Sequence, residues 1–233
     1  MAYACAPDVR KVLTIERFID LADDYDLSTP EAVLEIAPLF AALNANPRLL
    51  EPYVAALAGD AAAANLQSDY TGQTFVFAEA ERFYLRANIW LPASYEMLPE
   101  FASSDQFFYG QPHDHNFTFL TACHRGAGYR TEIFEHNGVE NAPSVGDVVK
   151  TTFLEDRVFG RGMLMVYRAS RDIHVQHPPD DFSVTINLMT KNAHEQVRRQ
   201  NLFDSSVTRV VEQPRGAEVA ERQLRDVLAA LAS

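Results

Sequence analysis

Five of the seven histidines fall between positions 113 and 174, and two of them stand in the segment Gln111-Pro112-His113-Asp114-His115-Asn116-Phe117. In an extended strand, residues two apart point to the same face, so His113 and His115 can offer two imidazoles to one ion. Thiols are carried only by Cys5 and Cys123, which is too few for a cysteine zinc ribbon or a disulfide framework. Any metal is therefore held by His, Asp or Glu. His174, in the β-like run Arg171-Asp172-Ile173-His174-Val175-Gln176, supplies a third nitrogen. Three protein ligands leave coordination positions open for substrate or dioxygen, as a catalytic metal requires and a closed structural site does not.

The other histidines read differently. His124 opens a glycine turn, His136 stands beside Asn137-Gly138 and His177 beside Pro178-Pro179, which is the setting of solvated turn residues. His194 has no evident partner. Asp114 and Asp172 neighbour the ligands in sequence and are expected on the opposite strand face. Glu132 shares a face with Arg130 and Phe134. It either turns to the metal as a fourth ligand or base, or pairs with a barrel arginine.

The elements that must position these residues follow from hydrophobic period and turn signals. An apolar series at near-helical spacing, Val12, Ile15, Phe18, Ile19 and Leu21, predicts a helix ending near Asp26. Ser28-Thr29-Pro30-Glu31 writes the start of a second helix, with Val33, Ile36, Leu39, Phe40 and Leu43 as its buried stripe. Asn44-Ala45-Asn46-Pro47 restarts a third through Leu50, Tyr53, Val54 and Leu57. From about Thr71 the pattern changes to short runs rich in aromatic and β-branched residues, as antiparallel strands require. The runs are 74–77, 83–91, 106–109, 117–123, 129–135, 148–153, 163–167, 173–176, 182–189 and 207–211. Arg125-Gly126-Ala127-Gly128 is read as a hairpin link. A last amphipathic stretch, about Ala217 to Leu231, has an apolar side for the barrel or for a second subunit, so a homodimer is one expectation.

With the strands in place, the chain resembles the cupin superfamily, and within it the cysteine dioxygenases and related thiol dioxygenases. The resemblance rests on His113-Asp114-His115, an apolar strand, a glycine turn and Thr131-Glu132, then His174 and Ser183-Val184-Thr185-Ile186-Asn187-Leu188. It implies a cupin-type double-stranded β-helix, or jelly-roll barrel, with helices before it. It also implies Fe(II) on three histidines and insertion of oxygen from O2 into an iron-bound substrate. Typical cupins add a glutamate ligand a few residues after the histidine pair, where this chain has Phe119 and Leu120. Tyr84-Leu85-Arg86 matches a Tyr-x-Arg whose arginine holds the substrate carboxylate, a task suited to a bidentate guanidinium. The alternative alignment makes Arg86 a surface strand residue. The family's tyrosine after the third histidine is matched by Met189, a departure that counts against a thiol substrate. Tyr167 can enter the pocket from a neighbouring strand, and with Tyr84 and Trp90 would shape it. Cys123 is displaced from the family's crosslinking cysteine.

A chain of 233 residues with 47% hydrophobic content suits one domain: helices over 1–70, the barrel over 71–212 and a closing helix over 213–233. The formal charge of -12 argues against nucleic acid and anionic membrane surfaces as partners. No apolar run is long enough for a signal peptide or membrane span, so a cytoplasmic enzyme acting on a small molecule and O2 is expected. The rival expectations are a redox-silent metal cupin working as isomerase, lyase or hydrolase, and a cupin that binds a ligand without catalysis.

Overall fold

The computed structural model describes residues 3–6, 11–53, 74–92, 94, 108–137, 142–192 and 198–214. Short helices, three of them complete among the described residues, lie between the first strand and the rest of the sheets. Helix α1 (Ile15–Ala22) is capped by the Thr14 side chain, which accepts from the Arg17 N–H, and it buries Phe18 and Ala22. The Thr29 side chain caps α2 (Pro30–Glu35) in the same way, and α3 (Ala37–Asn44) follows at once. The apolar pattern predicts one helix here. Pro38 divides it, because proline has no N–H to donate and its ring crowds the carbonyl four residues back; Ile36 ends α2 and begins α3. The first helix is also shorter than its pattern, with Val12 57% exposed ahead of it. Residues 51–53 are helical. The rest of the predicted third helix and the predicted C-terminal helix lie outside the described residues.

Strand β1 (Tyr3–Cys5) comes before the helices, and β2 (Thr74–Glu79) and β3 (Phe83–Trp90) follow them. The chain continues through β4 (Phe119–Arg125), β5 (Tyr129–His136), β6 (Thr151–Phe159), β7 (Leu164–Tyr167), β8 (Asp172–Gln176), β9 (Ser183–Thr190), β10 (Leu202–Phe203) and β11 (Val210–Glu212). Six strands form one antiparallel sheet in the order β1-β7-β4-β9-β3-β2, and three form another in the order β6-β5-β8. Successive strands switch sheets: β4 lies between β7 and β9, while β5 lies between β6 and β8. His113 bridges to His174 and so adds its own segment beside β8. The resulting order, β3-β9-β4-β7 facing 113-β8-β5-β6, is that of a jelly-roll barrel.

One expectation about connectivity is corrected by this order. Arg125 to Gly128 closes no hairpin, since β4 and β5 belong to different sheets, and the turn instead carries the chain across the barrel's end. Gly126 and Gly128 have φ of +82° and +86°, and a Cβ at Gly128 would overlap the Phe159 carbonyl oxygen. Other boundaries shift as well. The run predicted at 148–153 is β6 at Thr151–Phe159, and the one at 207–211 is β11, with Val207 held in a left-handed turn at φ +56°. Residues 108–110 form a turn, and the first half of the strand predicted at 106–109 lies outside the described residues.

The large sheet is covered on both faces. Phe18, Val33, Ile36 and Phe40 from the helices pack on Leu85, Leu120, Leu164 and Ile186 of its outer face. Its inner face joins the barrel interior, where Trp90, Phe119, Tyr129, Ile133, Phe159, Met165, Tyr167 and Met189 form a second cluster. The two-residue period of a strand divides β3 accordingly: Phe83, Leu85 and Ala87 meet the helices, and Tyr84 and Trp90 meet the interior. Central strand β9 is buried at all eight positions. Ile173, Phe203, Val207 and Val210 make a third cluster on the outside of the small sheet.

Candidate metal centre

His113, His115 and His174 come together at the rim of the interior, with one ligand atom from each lying within 4.8 Å of the others. His113 and His174 exchange both main-chain hydrogen bonds, at 3.1 and 2.9 Å, so their side chains stand directly opposite on one face. Their Nε2 atoms are 2.8 Å apart. Two imidazoles bound at right angles to one ion, each about 2.1 Å away, have nitrogens about 3 Å apart. The His113 Nδ1–H donates to the Gln111 carbonyl oxygen at 2.9 Å, which leaves Nε2 with its lone pair toward the cluster. Nδ1 of His115 and Nδ1 of His174 are buried without a hydrogen-bond partner. His115 keeps partial exposure while the other two are buried, so the cluster opens on its side.

Burial holds all three imidazoles below the ordinary histidine range. For His115 and His174 the neighbouring rings add to this, and the positive Arg86 guanidinium pushes in the same direction on all three. Neutral imidazole is the ligating form, and the residues present therefore fit a divalent transition metal in geometry and in protonation. Phe117 stacks on His115 with ring centroids 4.8 Å apart, and Phe119 meets it edge-on at 5.1 Å.

The other residues singled out by the sequence divide between interior and exterior. Arg86 is 6% exposed and its charge bears on the histidines, so it belongs to the interior, and the surface alternative is set aside. Tyr167 packs edge-on to His174 at 4.8 Å and stacks on Phe119 at 4.9 Å. Burial drives its phenol well above the usual tyrosine range. Tyr84 packs on the interior cluster, and Met189 is wholly buried there. The Trp90 Nε1–H donates to Thr185 Oγ1 at 3.0 Å, deeper in the same interior. Glu132 turns the other way. It lies opposite Val175, while its neighbour Ile133 lies opposite His174, and its carboxylate accepts from Arg130 at 3.2 Å and from His177 at 2.8 Å on the outside of the small sheet.

Several side chains are placed otherwise than the sequence predicts. His136 is no solvated turn residue: it is 1% exposed and hydrogen-bonded to the buried Asp114 at 3.0 Å. Nδ1 of His124 lies 3.0 Å from the Asn44 carbonyl oxygen at the end of α3. His177 contacts Glu132, and His194 lies outside the described residues. Asp172, two residues from His174, follows its strand parity rather than the opposite face; its carboxylate receives Arg168, which also reaches Glu135 at 2.8 Å. Asp114 does take the opposite face from the ligands, as expected. Burial pushes the Cys123 thiol up to about 11, in keeping with an inert strand residue. Among the described residues, Gln200, which lies beside His115, carries no local signal that sequence reasoning could use.

No family model matches the chain, and no curated protein matches it. Solved structures similar to it include a DMSP lyase structure, at 14% identity and TM-score 0.32, covering 60% of this chain and 58% of that one. A cupin domain from Bordetella pertussis is similar at 14% identity and TM-score 0.28, covering 54% of this chain and 98% of that one. A hydroquinone 1,2-dioxygenase from Sphingomonas with 4-hydroxybenzoate bound is similar at 7% identity and TM-score 0.34, covering 57% and 71%. These likenesses are too distant to bear on metal or substrate. The chain's own strand order makes it a mainly β jelly-roll barrel, with a cluster of three histidines at the edge of its interior.

Proposed function

We propose that His113, His115 and His174 hold one Fe(II) ion and that the chain is a mononuclear non-haem iron oxygenase, using O2 on a small carboxylate-bearing or sulfur-containing metabolite. The observation that carries this reading is the convergence of three neutral imidazoles at one point, with no carboxylate joining the cluster among the described residues. When bound, the iron supplies open positions for substrate and O2 without a 2-oxoglutarate cosubstrate. The protein's part is to bind and orient. Arg86 and a divalent ion put positive charge on one interior, and an anionic substrate provides the balancing charge; the guanidinium grips its carboxylate through two parallel N–H donors. Tyr84, Trp90 and Tyr167 form apolar walls that exclude water, and Tyr167 also fixes the His174 ring by packing on it. Glu132 has no part in this chemistry.

A second reading keeps the metal and changes the reaction. Met189 stands where the resembling thiol dioxygenases have a tyrosine, and a thioether neither donates nor accepts the proton a phenol can. That favours an isomerase, lyase or hydrolase with a redox-silent metal over oxidation of a thiol. Metal analysis after anaerobic purification, together with oxygen uptake on a panel of small thiols and amino acids, separates the readings. Near-stoichiometric iron is expected in the wild type and almost none in His113→Ala, His115→Ala or His174→Ala, each with an intact circular dichroism spectrum. A redox-silent metal in place of iron, with no oxygen uptake, points to the second reading; iron without a thiol response keeps the oxygenase and discards the thiol, and full metal retention by all three variants removes the site.

A further inference from the structure

The segment that carries two of the three histidines belongs to no regular strand. Its main chain is held on both sides. On one side His113 pairs with His174 and the Ser170 N–H donates to the His115 carbonyl oxygen at 2.6 Å; on the other the Phe203 N–H donates to the Pro112 carbonyl oxygen at 2.9 Å and the Asp114 N–H to the Asn201 carbonyl oxygen at 3.1 Å. Asp114 is the side chain on the opposite face from the two imidazoles, and it is fully buried. Its Oδ1 accepts the Asn201 N–H at 2.7 Å, and its Oδ2 accepts Asn201 Nδ2 at 2.8 Å and contacts His136 Nε2 at 3.0 Å. His136 is in turn held by its own N–H to the Arg171 carbonyl oxygen at 3.0 Å, at the end of β5. One carboxylate therefore joins the ligand segment, the end of β5 and the stretch leading into β10. It adds a side-chain anchor to a segment whose main chain makes single bridges, to His174 on one side and to Leu202 on the other, in place of a longer ladder.

Resting on the metal reading above, we propose that Asp114, clamped by His136 and Asn201, is the positioning residue of the histidine centre. It sets the spacing and tilt of His113 and His115 from behind, without touching the ion. A shift of the segment moves both imidazoles together relative to His174, which sits on the regular strand β8, so the clamp acts on the geometry between the ligand pair and the third ligand. Groups that orient ligands from behind are typically worth about 10–100-fold in metal affinity.

Co(II) is the probe, since its visible spectrum reports ligand geometry and its affinity can be read by competition with a chelator. Asp114→Asn keeps the shape but points amide protons at donors, and His136→Phe removes the hydrogen bond with little change in bulk. Both are expected to bind Co(II) at least about tenfold more weakly with an altered visible spectrum, measured on protein whose circular dichroism matches the wild type. His136→Gln retains a donor near the Nε2 position and is expected to recover wild-type affinity and spectrum. Should Asp114→Asn not fold, His136→Phe against His136→Gln decides alone. Lower melting temperatures with unchanged Co(II) affinity and spectrum would reduce the clamp to a structural role and overturn the proposal. Failure of folded wild-type protein to bind Co(II) at all would overturn the three-histidine reading itself.

Discussion

At the scale of single residues, the interior is a place where charge is scarce and costly, so each charged group in it has a definable consequence. Arg86 is the clearest case. A bidentate guanidinium–carboxylate contact in a buried setting contributes about 1.5–3 kcal/mol, which is roughly ten- to hundredfold in affinity. Arg86→Gln is accordingly expected to raise KM for carboxylate substrates by that factor while metal content stays at the wild-type level. An unchanged KM would remove Arg86 from the substrate site. The paired histidines were legible from the sequence because strand parity alone puts His113 and His115 on one face. The same parity puts Asp172 with His174, and the expectation that it faced away neglected this. His136 was not legible: its partner Asp114 is 22 residues distant, and a histidine beside Asn-Gly looks local until the barrel brings that partner in.

Among the elements, the crossings between the sheets are more tightly specified than the strands themselves. Gly128 adopts φ +86° against the Phe159 carbonyl oxygen, whereas Gly146 adopts φ +96° with nothing within 4 Å of where a Cβ would stand. Gly146→Ala bears only the backbone strain, while Gly128→Ala adds a steric overlap with main chain. Gly→Ala stabilises by up to about 1 kcal/mol where the backbone is compatible and destabilises by more than that where φ is positive, so Gly128→Ala is expected to destabilise by clearly more than about 1 kcal/mol, and by more than Gly146→Ala, in urea unfolding. Equal costs would mean that the crossover can shift. Runs of β-branched and aromatic residues made most strands visible in the sequence. Their pairing was not, since a glycine turn between two runs looks alike whether it closes a hairpin or crosses between sheets. Glu132 shows the same limit, because its pattern with Arg130 and Phe134 identified a face without telling which side was inside.

For the molecule as a whole, acid stability is tied to a cluster at the end of the barrel where Arg168 meets Asp172 and Glu135. Hydrogen bonding from Arg168 holds the Glu135 carboxyl down at about 2, against an ordinary value of 4.5. A carboxyl depressed in the folded state adds stability that is complete above its unfolded value and is lost as pH falls through the folded one. The melting temperature should thus fall as pH drops from about 4.5 toward 2, and Glu135→Gln should flatten that part of the profile while lowering stability at neutral pH. Parallel profiles for the two proteins would show that the ion pair contributes nothing. No helix among the described residues is long and apolar enough to cross a membrane. The interleaved strand order has a consequence for how the protein is made. His113 and His174 are 61 residues apart, and they meet only once β8 lies between β5 and the segment around His113. A chain leaving the ribosome exposes its first two imidazoles long before the third has been synthesised, and at that stage two flexible histidines grip any ion weakly. If the centre holds a metal as proposed, selection of the ion belongs to the finished barrel, because only there do all three imidazoles stand together.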